Sequence, residues 1–150
     1  MRFTLTIPPA LATDWTAASP TSIVARSGAF TIAIVGLHPL PDDLDAWIAT
    51  ALRRETPDGA QLEIGRGTDQ ATARRWPMRL VDARVLVDGA PVEVRVAAFY
   101  RFFEYGGIAL ARAASGSPDP ALAQEALAIL ATAEPDWSSE VVTVEELWAP

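Results

Sequence analysis

The 150-residue chain contains no cysteine, no lysine and no asparagine, and its single histidine is His38. Without lysine there is no amine for a Schiff base or for a phosphate-binding loop. Without cysteine there is no thiol nucleophile and no thiolate metal site, and disulfide usage gives no reading of redox compartment. All twelve basic residues are therefore arginine, set against nineteen acidic residues for a net charge of −7. We read the arginine usage as that of a GC-rich coding genome rather than as selection for guanidinium chemistry. A nucleic-acid partner is not expected, because backbone binding needs a clustered basic patch. No apolar run reaches the ~18 residues that cross a bilayer, and the opening MRFTLTIPPALATDW lacks the apolar centre of a signal peptide. The expectation is a cytoplasmic protein with no direct membrane insertion.

What is present fits one globular domain. Half of the residues are hydrophobic and 21% are charged, a balance that excludes bulk disorder. A chain of this length buries roughly 68–70% of its unfolded surface and folds without staples. No repeat of ~20–50 residues is visible, which argues against a solenoid. We assign residues 1–137 to a single domain and 138–150 to an acidic-hydrophobic tail, where valines alternate at 142 and 144 and Leu147 and Trp148 stand among glutamates. Such a tail either docks as an edge strand on its own domain or stays free for another subunit.

Periodicity places the elements. FTLTI at 3–7 and SIVARSGAFTIAIVGL at 22–37 read as strands, the second broken by a turn at Ser27 and Gly28 into a hairpin. The proline-, alanine- and threonine-rich stretch between them reads as a loop that carries Trp15 inward. In PDDLDAWIATALRRE, Leu44, Trp47, Ile48, Ala51 and Leu52 recur at helical spacing, with Asp42 or Asp43 as cap, Asp45 at the positive end of the dipole and Arg53 and Arg54 at the negative end. Capping accounts for those carboxylates better than a metal site does. QLEIGRG and DQATARRWPMRLVDARVLV follow as a short and a longer strand. In the longer one the apolar face switches from Met78 and Leu80 to Val81, Ala83, Val85 and Val87, which predicts a bulge or a change of neighbour. Asp88 and Gly89 mark a hairpin, Gly106 and Gly107 a second turn, and 108–113 a returning strand. Asp119 and Pro120 open a second helix with Leu122, Ala126, Ile129, Leu130 and Ala133 as its stripe, closed at Pro135. The order predicts an α+β fold, most simply an antiparallel sheet with both helices on one side.

The stretch VEVRVAAFYRFFEYGG, residues 92–107, carries bulky side chains on both faces of one strand. Val92, Val94, Val96, Ala98, Tyr100 and Phe102 form one row, which reads as core. Glu93, Arg95, Ala97, Phe99, Arg101 and Phe103 form the other. That mixture of rings and guanidinium groups suits a surface covered by another protein, because aromatics bury area while arginine stems cover apolar surface with solvated heads. The competing explanation is a second helix layer of the domain itself, or a homodimer edge.

The helix LDAWIATALRR, the strand WPMRLVDARV with the hairpin AAFYRFFEYGGIALARA after it, and the closing ALAILATAEPDW together resemble the PsbP-like α/β/α sandwich, particularly its bacterial DcrB-related branch. The likeness spans 41–137 and rests on element order and aromatic placement. Where those proteins often carry glycine before the tryptophan–proline step, this chain has Arg75. The resemblance implies a non-enzymatic binding protein, similar to the effector-associated chaperones of type VI secretion: a cytoplasmic homodimer that shields apolar segments of a secreted effector on a sheet face. On that basis Arg95, Phe99, Arg101 and Phe103 are the candidate partner-binding residues.

No catalytic, metal or cofactor signature competes. His38 stands in a proline-rich connection without helpers, GRGT at 65–68 reads as a turn without the pattern or lysine of a phosphate loop, and SGS at 115–117 has no nucleophile-elbow context. The acidic balance supports an alternative: an inhibitor or immunity-type protein covering a basic partner. A small-pocket enzyme ranks last.

Overall fold

The computed structural model describes residues 2–39, 43–73, 75–101, 105–114 and 119–136. In chain order the elements are β1 (Arg2–Thr4), a 3-10 turn (Pro9–Leu11), β2 (Trp15–Ser19), β3 (Ser22–Ala25), β4 (Phe30–Pro39), α1 (Leu44–Arg54), β5 (Gln61–Ile64), β6 (Thr68–Ala71), β7 (Pro77–Val87), β8 (Ala90–Arg101), β9 (Tyr105–Ala113), α2 (Pro120–Leu130) and β10 (Glu134–Asp136). The fold is α+β. An 8-stranded antiparallel sheet runs β2-β3-β4-β9-β8-β7-β5, with β6 also on β7, and β1 pairs with β10 apart from it.

The sheet is buried on both faces, and this corrects the simplest expectation of two helices on one side. Alternation sends Val81, Ala83, Val85, Val94, Val96, Ala98, Ile108 and Leu110 to one face, where they pack against Ile48 and Leu52 of α1. It sends Met78, Leu80, Ala97, Ala109 and Ala111 to the other, against Ala126, Ile129 and Leu130 of α2. The apparent face switch within β7 is therefore a strand with core on both sides. Its pairing with β8 runs without a register shift from Met78 to Val87, so no bulge lies in it. What changes is the neighbour on its other side, β6 opposite 77–80 and β5 opposite 83–86.

Several local expectations are borne out. Asp43 caps α1, accepting from the Ala46 amide at 3.1 Å, and Asp119 caps α2, accepting from the Ala121 amide at 2.8 Å. Asp88 (φ 50°) and Gly89 (φ 78°) turn β7 into β8 with Val87 opposite Ala90, as a two-residue loop with both central residues left-handed requires. Trp15 is 1% exposed, edge-on to Phe30 at a centroid distance of 6.1 Å, and its Nε1 donates to Glu125 of α2 at 3.3 Å.

Other expectations change. Residues 15–19 form β2 rather than loop, because seating Trp15 in the core also aligns the following residues with β3. The first strand is confined to Arg2–Thr4. Residues 69–87 divide into two strands at a turn where Arg75 takes φ 63°, Thr72 accepts the Trp76 amide on its hydroxyl at 3.0 Å, and the Ala73 amide donates to Ala131 at the end of α2 at 2.8 Å. Arg75 thus occupies a left-handed position, where glycine is the residue of lowest strain. Gly106 and Gly107 lie within β9, opposite Tyr100 and Phe99 on one side and His38 and Leu37 on the other, rather than in a turn. His38 belongs to β4, not to a connection. Helix α2 stops at Leu130, before Pro135, with the Thr132 hydroxyl 2.6 Å from the Ile129 carbonyl. Phe102, Phe103, SGS at 115–117 and the 138–150 tail lie outside the described residues.

GRG at 65–67 is a bulge in an edge strand, not a turn. Ile64 faces Ala83 and Thr68 faces Leu80, so three residues oppose two. The Gly65 amide donates to the Asp82 carbonyl at 2.8 Å, and a Cβ at Gly65 would stand 2.6 Å from that oxygen. Gly65→Ala is expected to lower stability by about 1–3 kcal/mol through the backbone shift it forces. Thermal unfolding reads this, and an unchanged midpoint would show that the contact does not fix the bulge.

Candidate functional site

Three arginines of the sheet, Arg79, Arg112 and Arg95, reach its helices. Arg79 of β7 donates through Nη1 to Asp45 in the first turn of α1 at 2.9 Å and through Nε to Asp69 of β6 at 2.8 Å. Arg112 of β9 donates to the Glu55 carbonyl at the other end of α1 at 3.1 Å. Arg95 of β8 donates through Nε to Asp82, its cross-strand partner, at 2.8 Å, and its Nη1 stands 3.5 Å from the Ala123 carbonyl of α2. The hydrogen bond from Arg79 holds the Asp69 carboxyl below its usual value, and the same contacts, Asp69 first and Asp45 second, raise the guanidinium further.

Hollows open beside this frame. The first, of ≈ 420 Å³, lies between the start of α2 and the β5 edge, lined by Glu63, Asp82, Arg84, Glu93 and Arg95 with Phe30 and Ala123. Four of its charges pair within the chain: Arg95 with Asp82, and Arg84, 3.4 Å from Glu93, directly across the ladder. Among the described residues, no group of three or more histidine, cysteine or acidic side chains is placed to hold a metal ion.

The second hollow, a groove of ≈ 490 Å³, separates residues 4–7 from β2, β3 and β4. Leu5, Ile7, Ile23, Ile32 and Ile34 give it an apolar interior, and Thr4, Thr6, Ser19, Thr21 and Ser22 bring hydroxyl groups to it; among the described residues none that lines it is ionisable. The groove exists because its far wall is fastened elsewhere. Residues 2–4 pair with β10, and the Thr6 amide donates to the Thr132 hydroxyl beyond α2 at 2.8 Å. Leu5 and Ile7 pack on the α2-side core, so this segment does not close onto β2.

Of the residues singled out from sequence, Arg95 lines the polar hollow as a bridge between sheet and helix, with a side chain 24% exposed. Phe99 and Arg101 are placed on β8, opposite Met78 and Gly107 for the first and Tyr105 for the second, while Phe103 lies outside the described residues. Ala97, between Arg95 and Phe99 in the same alternating row, is fully buried in the α2-side core. The uncharged groove was missed. Its signal was the alternation Thr4-Leu5-Thr6-Ile7 beside Thr21-Ser22-Ile23.

No family model matches the chain, and no curated protein matches it. Among solved structures, it is similar to the crystal structure of a Pseudomonas aeruginosa protein of unknown function, PA94, at 13% identity and a TM-score of 0.38, covering 85% of this chain and 80% of that one. No helix of the described residues is long and apolar enough to cross a membrane.

The Asp69–Arg79 pair sets a pH dependence. Because the folded carboxyl titrates below its unfolded value near 3.9, its contribution is complete above that value and is lost as pH falls through the folded one. Asp69→Asn is expected to cost about 0.2–1 kcal/mol at neutral pH, as exposed pairs do. Denaturant titrations should show the deficit vanish in acid and shrink in high salt; a deficit independent of both would assign it to something other than the ion pair.

Proposed function

We propose that the chain is a non-enzymatic protein-binding domain, a chaperone or adaptor that shields an apolar segment of a partner. The observation that carries this reading is an apolar groove in which no described lining residue is ionisable, on a chain of net charge −7. Such a groove favours a ligand without charge, since a charged group would lose its hydration there without an opposite charge from the described lining to meet. The resemblance to DcrB-related proteins supports the finer version: a cytoplasmic homodimer serving a secreted effector. In that version Phe99, Arg101 and Phe103 extend the partner surface, while Arg95 holds α2 against the sheet.

The alternative of an acidic inhibitor draws on net charge alone. Asp45, Asp69, Asp82 and Glu93 each already face an arginine of the chain itself, which leaves less unpaired acidic surface to offer a basic partner. Native mass spectrometry of the protein from its own host, read with light scattering, tests the choice. A dimer carrying a protein with long apolar segments is expected. A bare monomer that associates with a basic protein in a salt-sensitive manner would overturn the chaperone reading.

A further inference from the structure

We propose that two copies of the chain exchange their N-terminal straps, residues 2–11, so that each strap docks on the other copy's β10, Thr132 and α2-side core. The groove then draws one wall from each copy. This inference rests on the homodimer named above and specifies how it is closed. Every contact it uses is already made within one chain, so no edge or hollow has to stand open for it.

Where the strap is fastened is the first support. Its β1 residues pair with β10, Thr4 opposite Glu134. Two residues further on, Thr6 meets Thr132 with both backbone groups, its amide donating to the hydroxyl at 2.8 Å and its carbonyl accepting from it at 3.1 Å. Leu5, Ile7 and Leu11 pack on the core cluster that holds Ala126, Ile129 and Leu130 of α2. Among the described residues no hydrogen bond joins the strap to β2, β3 or β4, and the groove of ≈ 490 Å³ lies between them. The strap's polar contacts therefore lie at the far end of the chain, not on the strands that follow it.

The joint behind the strap is the second. Pro8 is extended at φ −56° and ψ 145°, and the 3-10 turn Pro9–Leu11 stiffens the arm, the Leu11 amide donating to the Pro8 carbonyl at 2.9 Å. Ala12, Thr13 and Asp14 follow, all exposed. The bend over them is closed by one hydrogen bond, from the Asp14 amide to the Leu11 carbonyl at 3.1 Å, while the Asp14 carbonyl stays on the sheet by accepting the Arg26 amide at 2.8 Å. Rotation at Ala12 and Thr13 thus carries the strap away as a unit. A joint this short, once straightened, holds the strap off its own core and within reach of a second copy's.

A chain without cysteine allows a direct test on the full-length protein. Thr4→Cys and Glu134→Cys occupy opposed Cα positions of the β1–β10 ladder, a spacing that a disulfide spans. With both substitutions in one chain, a closed fold bridges within the chain and runs as a monomer in denaturing gels without reductant, whereas an exchanged pair bridges between chains. Light scattering selects the dimer fraction, and peptide mapping identifies the bridge. Covalent dimer is expected in most of that fraction. Chains carrying one substitution each, produced together, should form the same bridge, which a closed fold does not make. Arg2→Cys with Asp136→Cys repeats the test if the first pair disturbs folding. A dimer whose bridge closes only within each chain overturns the exchange, assigns dimerisation to another surface and leaves the chaperone reading standing. A monomer at every concentration overturns the exchange and the homodimer together. A monomer that also comes from its host without an apolar partner overturns the binding reading as well.

Discussion

Burial of the central strands on both faces is the constraint on which the rest of this structure depends. Over much of their length β7, β8 and β9 have core on both faces, so there each alternates between two cores, while Asp82, Arg84 and Glu93 carry the far end of the α2-side row out to solvent. The two cores are built from different side chains. Toward α1 the strands present valine, isoleucine and leucine, which bury area; toward α2 they present Ala97, Ala109, Ala111 and Ala113, which let Ala126, Ile129 and Leu130 come close. A larger residue on the alanine side overpacks a closely filled core, whereas a smaller one on the valine side opens a cavity.

Charged side chains work at the margins of this frame. Arg79 and Arg112 reach the two ends of α1, and Arg95 reaches toward α2, each from a strand that is otherwise core. The long guanidinium side chain suits this task, because its stem crosses apolar surface and its planar donors meet a carboxylate or a helix-terminal carbonyl at the rim. A chain without lysine places all its cations in side chains of this kind.

Much of this was legible in sequence where a local rule acts alone. Asp43 and Asp119 announced their helices through capping, Asp88-Gly89 its hairpin, and the α1 stripe its buried Ile48 and Leu52. Legibility failed where tertiary partners decide. Met78 and Val81 looked like a fault in one strand because periodicity assumes one dry face, and only the second helix layer makes both positions core. Gly106 and Gly107 looked like a turn because glycine usually marks one, yet here the register sets bulky residues opposite them. The aromatic row drew attention through residue size, but Arg95 and Ala97 in that row face α2. The groove went unnoticed because its walls come from residues 4–7 and from β2–β4, and its opening depends on Thr132, far away in sequence.

The two edges of the sheet are unequal. One is interrupted by the Gly65–Gly67 bulge and carries Glu63 and Asp69; the other, β2, is short and uncharged, and none of the described strands pairs with it. Growth by strand pairing needs two receptive edges per molecule if it is to propagate, since each newcomer must offer a fresh one. With one edge guarded, the described sheet leaves at most one edge for a further strand. Any pairing at β2 closes the account after a single event, giving a discrete complex where a symmetric pair of bare edges would give a fibre.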